Sequence, residues 1–216
     1  YRREFTFEKC KDGERLLLHF GAVDQHCSVY INGKKAGSHS GGYWPFYFDI
    51  SGFLKDCENE IVVSVTDDTD TGDEAYGKQT LNRGEIWYTG QSGIWQTVWA
   101  EKVPETYIQS VKITPHFKKA EVELELCMSG TDLSPITANA SVKIFDGEKA
   151  VAEGLFQNNR ALVKMPDDFK SWSPDNPFLY DVEIKAGKDT VRSYFGMREF
   201  GILDGKAGPV LSLNGK

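Results

Sequence analysis

The chain has 216 residues, 40% of them hydrophobic and 26% charged, with a formal net charge of −7. That length holds one large β domain or two ordinary ones, and the acidic balance excludes a nucleic-acid partner, which needs a basic face to displace phosphate counterions. No apolar run approaches the roughly 20 residues that span a bilayer as a helix, so no membrane partner is expected.

The first residues, "YRREFTFEKC" (1–10), alternate like a strand, and no leader peptide is expected there. In "CSVYINGKKAGS" (27–38) the pair Asn32-Gly33 sits between strand-like arms, a hairpin signal because a type I′ turn needs positive φ at both central residues. "SHSGGYWPFYFDIS" (38–51) places Phe46, Phe48 and Ile50 on one face of a strand, which Pro45 opens and a Gly41-Gly42 turn feeds. That assigns the segment to structure and leaves only Tyr43 and Trp44, beside the turn, to meet a ligand or another domain. "NEIVVSVTDD" (59–68) again alternates, through Ile61, Val63 and Val65.

From Asp67 to Gly93 regular patterning stops, and so long an irregular stretch in a compact domain points to a functional loop. Its acids, Asp67, Asp68, Asp70, Asp73 and Glu74, invite a calcium reading, but they lack the EF-hand spacing and its closing glutamate. They are read as a solvated loop, with no metal and no cofactor expected. Trp95 and Trp99, four apart in "IWQTVW", are expected on one strand face, packed in the core.

Strand-like "GIWQTVWAEKV" closes a first unit, Pro104 and Glu105 link, and a new strand begins at Tyr107. From there to "VRSYFGMREF" seven strand candidates follow at the spacing of an immunoglobulin-like sandwich. Among them "AEVELELCM" turns Val122, Leu124 and Leu126 inward, and "LYDVEIKAG" does the same with Tyr180, Val182 and Ile184. Trp172 precedes a proline-rich corner and is expected to pack that sandwich. The first unit suits a jelly roll, so the fold class is all-β: a jelly-roll, galactose-binding-like sandwich followed by an immunoglobulin-like one. The tail "GILDGKAGPVLSLNGK" (201–216) fits neither and reads as a hairpin entering a further domain.

Four cysteines without a C-x-x-C pair exclude zinc and thioredoxin-like sites. Cys27 and Cys127 lie in strand-like runs and are expected buried; Cys10 and Cys57 lie in turn-like segments and either pair or stay free. His19, His26, His39 and His116 are scattered, and no nucleophile elbow, P-loop or dinucleotide fingerprint is present.

Taken in order, "YRREFTFE", "LLLHFGAVDQHCSVYINGKKAGSHSGGYWPFYFDISGFL", "NEIVVSVTDD", "GKQ", "SGIWQTVWAEKVP", "WSPDNPFLYDVEI" and "FGMREF…LSLNGK" resemble the N-terminal portion of family-two glycoside hydrolases, the group of β-galactosidases, β-glucuronidases and β-mannosidases. The resemblance runs over essentially the whole chain. It implies a jelly-roll sugar-binding-type domain over 1–104, an immunoglobulin-like sandwich over 105–196, and over 197–216 the start of a truncated (β/α)₈ catalytic barrel. It further implies a retaining β-glycosidase, acting on β-galactosides, with an acid/base glutamate and a nucleophilic glutamate about 5–5.5 Å apart.

The family's acid/base glutamate follows an asparagine. The one Asn-Glu here, Asn59-Glu60, opens a strand of the first unit, so both catalytic glutamates are expected beyond Lys216 and the chain alone is expected inactive. In several family members an aspartate on a loop before the Gly-Ile of "SGIW" touches the sugar. Its position falls here at Trp87, with Glu85 two residues earlier as the substitute acid. Glu85, Trp87 and Tyr88 are accordingly substrate-rim candidates, although Trp87 and Tyr88 also suit packing against the barrel. Tyr43, Trp44 and Arg198 are barrel-interface candidates, Arg198 through a salt bridge or hydrogen bond. The implied partners are a carbohydrate, the protein's own catalytic barrel, and a second copy in a homo-oligomer. A bacterial cytoplasmic and a periplasmic or secreted location both stay open. The rival reading is a free-standing carbohydrate-binding module, since a jelly roll by itself does not fix function.

Overall fold

Residues 1–129 and 140–216 are described by a computed structural model, and contacts divide them into two units, Tyr1–Glu105 and Thr106–Lys216. The first unit contains β1 (Arg2–Thr6), β2 (Glu14–Phe20), β3 (Val23–Asp24), β4 (His26–Ile31), β5 (Lys34–Ser40), β6 (Phe46–Asp49), β7 (Glu58–Thr66), β8 (Gln79–Thr80), β9 (Tyr88–Thr89), β10 (Gly93–Ile94) and β11 (Val98–Pro104). Two antiparallel sheets, in the orders β1-β7-β4-β5 and β11-β2-β6, enclose one core. Leu16, Leu18 and Phe20 come from β2, Val29 and Ile31 from β4, and Val63 from β7. Burying each such side chain contributes about 1.5–3 kcal/mol.

The Asn-Gly turn forms as the sequence predicts, with φ of 51° at Asn32 and 79° at Gly33. Asn32 does more than turn. Its side-chain amide donates to the Phe53 carbonyl and to Asn59 Oδ1, both at 2.8 Å, and its Oδ1 accepts the Glu60 N–H at 3.0 Å. Gly37 on β5 leaves room for the Phe48 ring, which any Cβ there would strike.

Among the described residues the sandwich of the second unit has seven strands: β12 (Ile108–His116), β13 (Glu121–Met128), β14 (Ser141–Asp146), β15 (Lys149–Leu155), β16 (Arg160–Lys164), β17 (Tyr180–Ala186) and β18 (Asp189–Phe195). They form sheets β12-β13-β16 and β15-β14-β17-β18. The alternation read from the sequence decides the faces: Val122, Leu124 and Leu126 meet Val142, Ile144, Tyr180, Val182 and Ile184 in a single core. On the wet face Glu125 pairs with Lys112 and Arg160, each at 2.9 Å. A two-stranded ribbon, β19 (Phe200–Gly205) and β20 (Gly208–Leu213), follows. Among the described residues no α-helix forms, and no helix is long and apolar enough to cross a membrane.

Two expectations need correction, for Cys127 and for the Trp95–Trp99 pair, and the alternative left open for Cys10 and Cys57 is decided. Cys127 is exposed, not buried, because it follows inward-facing Leu126 and so points to the wet face of β13. Cys10 and Cys57 do not pair; all four thiols are free. Trp95 and Trp99 are not core residues. The chain leaves β10 at Ile94 and re-forms a strand only at Val98, so the four-residue spacing does not hold them to one face. Trp99 sits opposite His19 on the outer face of its sheet, where the two rings stack at 4.8 Å.

The Asn-Glu pair also has a definite place. Asn59 is only 1% exposed, and besides Asn32 its amide bonds the backbone of Lys55 and Cys57. Glu60 forms an ion pair with Arg2. Both residues are therefore structural. Asn59→Ala removes the side-chain partner of the Lys55 and Cys57 backbone groups and of the Asn32 amide, all partly buried bonds, and is expected to lower unfolding free energy by about 2–3 kcal/mol, read from the urea midpoint. A loss below about 0.5 kcal/mol, the range of indifferent surface substitutions, would contradict this role.

Candidate functional site

The irregular stretch after β7 folds back on the first unit through side chains that cap backbone groups. Asp67 accepts the Thr69 N–H at 2.9 Å and the Ser92 hydroxyl at 2.8 Å; Asp70 accepts the Thr80 hydroxyl and the Leu81 N–H. Glu74 lies 3.3 Å from His26. The acids are thus spread over separate local partners, and among the described residues no three metal-ligating groups converge.

These bonds place the strands β8 and β9 side by side, in parallel, and bring residues 91–95 against the turn at 41–44. The result is a cleft of about 540 Å³ whose walls include Asp24, Tyr43, Gln79, Gln91, Ser92 and Trp95. Trp95, 53% exposed, is fixed in orientation because its indole N–H donates to the Gly42 carbonyl at 2.7 Å. Tyr43 meets it edge-on, with centroids 5.9 Å apart and planes at 71°. Gly42 is required at this point, since a Cβ would collide with the Asp24 carboxylate. At Gly93, φ is 108° and a Cβ would strike the Tyr1 hydroxyl, which instead accepts the Ile94 N–H at 3.2 Å.

Gln79 is held by its neighbour: its Oε1 accepts the Gln91 N–H. Burial, and then the Asp67 carboxylate, push the Asp24 carboxyl above its ordinary range, against the smaller opposing effect of Gln79. The cleft therefore presents two aromatic rings beside hydroxyl, amide and carboxylate groups. Such a surface can bind a polyhydroxylated ring.

The sequence-derived candidates fall into separate places. Trp87 closes a turn by donating its N–H to the Gly84 carbonyl at 3.0 Å, and Glu85 occupies that turn at φ 54°. Tyr88 opens β9, its N–H bonded to the Lys78 carbonyl at 2.8 Å. Together with Leu81 and Ile86, the Trp87 and Tyr88 side chains stand exposed on this loop. Neither they nor Glu85 line the cleft. Of the interface candidates Tyr43 lines it, whereas Trp44 points to solvent. Arg198, in the second unit, lies over the rings of Trp172 and Phe200, at 4.6 and 5.1 Å from their centroids. Sequence reasoning missed Asp24, Gln79, Gln91 and Trp95, and Trp95 was hidden by its assignment to the core.

Comparison with known proteins gives a consistent result. Residues 1–104 match the family profile described as "Glycosyl hydrolases family 2, sugar binding domain", and residues 106–198 match "Glycosyl hydrolases family 2". A putative β-glucuronidase from Formosa agariphila is 28% identical over all of this chain, which corresponds to 26% of that protein. A β-galactosidase from Thermoanaerobacter pseudethanolicus is 28% identical over 86% of the chain and 25% of its own length. Among solved structures, a β-glucuronidase from an uncultured Clostridium species superposes with a TM-score of 0.76 and 26% identity, over 100% of this chain and 37% of the other. The chain thus spans about a quarter of the curated relatives it matches.

Asp24 supplies a test of the site's electrostatics. Its raised folded-state pKa means that ionisation costs stability, a penalty absent below the unfolded carboxylate range near pH 4 and growing as pH rises through the folded value. Asp24→Asn is therefore expected to raise the melting temperature at pH 7 and to lose that gain at pH 3.5. A variant less stable at pH 7 than at pH 3.5, relative to the parent, would contradict this account.

Proposed function

The chain belongs to glycosyl hydrolase family 2, and from that premise we propose that it forms the non-catalytic N-terminal domains of a retaining β-glycosidase, buttressing a catalytic barrel and shaping the rim of its substrate pocket. The observation that carries this reading is the ribbon β19–β20. Ile202 and Leu211, directly paired across it, are 71% and 89% exposed with Phe200 on their face, and the next pair, Leu203 and Val210, is exposed on the other face. A two-stranded ribbon is marginal alone, and large apolar side chains exposed on it mark an interaction surface. Asn214 braces the ribbon's base, donating its amide to the Trp172 carbonyl at 3.0 Å and bonding the Glu199 backbone. A braced, apolar ribbon suits the first strands of a barrel, with Arg198 and Trp44 as further contacts. A free-standing binding module has no use for it.

In this reading the acid/base and nucleophilic glutamates belong to the barrel. The structural roles of Asn59 and Glu60 support that placement. The exposed loop carrying Glu85, Trp87 and Tyr88 then reaches the pocket rim, with the rings offering stacking surface to a sugar. We take β-galactosides as the substrate class, because a rim acid such as Glu85 accepts hydroxyl hydrogen bonds but repels a uronate carboxylate. β-Galactosidases and β-glucuronidases both stand among the relatives, so glucuronides are the competitor.

Nitrophenyl β-galactoside and β-glucuronide assays test the proposal. The 216-residue chain alone should turn over neither, and the whole parent enzyme should prefer the galactoside. In the parent, Trp87→Ala should raise KM several-fold with a smaller effect on kcat, as expected for lost substrate contact. Authentic turnover by the chain alone would overturn the placement of the catalytic pair.

A further inference from the structure

The Tyr43–Trp95 cleft contains none of the three rim-loop candidate residues, although Gln79 on its wall pairs with Tyr88. Its chemistry is that of a ligand site. At about 540 Å³ it falls within the roughly 300–1,000 Å³ typical of small-molecule pockets. The two rings meet near a right angle, forming a corner: one face for an apolar ring surface, one edge beside it. Trp95 cannot swing away without losing its bond to the Gly42 carbonyl. Gln79 is likewise tied to the Gln91 backbone and Ser92 to Asp67, so polar groups are set before any ligand arrives. Preorganisation of this kind reduces the ordering cost of binding.

The charge around the cleft is one-sided. Asp24 lines it, Asp67 is bonded to Ser92 at its edge, and a small recess on the other side of Asp24 is walled by Asp67, Asp68 and Glu74. No lysine or arginine lines either space. An anionic ligand would face like charges with nothing to pair with, whereas neutral hydroxyls find the Asp24 carboxylate, the Gln91 amide and the Ser92 hydroxyl.

We propose that this cleft is an accessory binding site for a neutral pyranoside, which stacks its apolar face on Trp95 and excludes uronates. The choice of a sugar as ligand class rests on the glycosidase reading above; the cleft and its acidic lining do not. The site would hold substrate or product on the first domain without acting on it.

Titration of the 216-residue chain with methyl β-D-galactopyranoside, followed through the tryptophan indole resonances in proton–nitrogen NMR spectra, tests the proposal. Saturable shifts centred on the Trp95 indole are expected, with a millimolar dissociation constant suited to an open monosaccharide site. Methyl β-D-glucuronide at low ionic strength should bind at least about tenfold more weakly, a gap that Asp24→Asn should narrow. In calorimetric titrations, which do not depend on the indole signal, Trp95→Ala should abolish binding and Trp95→Tyr should retain part of it; the second variant keeps a ring in place if the first fails to fold. Absence of saturation, shifts confined to the other tryptophans, or equal binding of the two sugars would overturn it. The readout is binding by a chain without a barrel, so a negative result leaves the glycosidase assays standing, and a failed glycosidase assay leaves this titration interpretable.

Discussion

An antiparallel strand can bury only one of its faces against its own partner sheet, and its other face must be wet, charged, or covered by something else. That constraint organises the chain. Where β13 alternates valine and leucine with glutamate, the leucine side enters the core and the glutamate side meets Lys112 and Arg160. Where the second face is apolar, as on the β19–β20 ribbon, no sheet of the described residues satisfies it. Such a face costs solubility unless a further layer covers it, and the proposed barrel supplies that layer.

Period-two patterning made most of the fold legible. Val182 and Ile184, Val122 and Leu124, and the Asn32-Gly33 turn all occupy the places their spacing dictates. The errors came where one rule was carried past its range. The spacing of Trp95 and Trp99 has meaning only within an unbroken strand, and the chain bends between them at Gln96. Cys127 was misplaced although the alternation of β13 itself pointed it outward. The candidate cleft was not legible, for a different reason. Its walls come from a strand end at Asp24, a turn at Tyr43, a loop strand at Gln79 and the segment 91–95. The bond from the Trp95 indole to the Gly42 carbonyl that joins two of them links positions far apart in the chain, and nothing in local spacing announces it.

The three functional surfaces proposed for this chain ask different things of the same scaffold. The rim loop and the ribbon present apolar side chains outward and need a partner domain to have meaning. The cleft is built within the first unit from groups already bonded to one another. A domain placed in this way can contribute to a glycosidase through geometry, by holding a loop at the pocket edge, while its own recess gathers neutral sugar nearby.

The most direct test of the central claim, that these sandwiches serve a barrel that covers the ribbon, is amide hydrogen exchange over Phe200–Leu213, compared between the 216-residue chain and the whole parent protein. The account predicts rapid exchange in the chain alone and strong protection in the parent, with the core strands β14 and β17 protected equally in both. Equal exchange of the ribbon in the two proteins would contradict it.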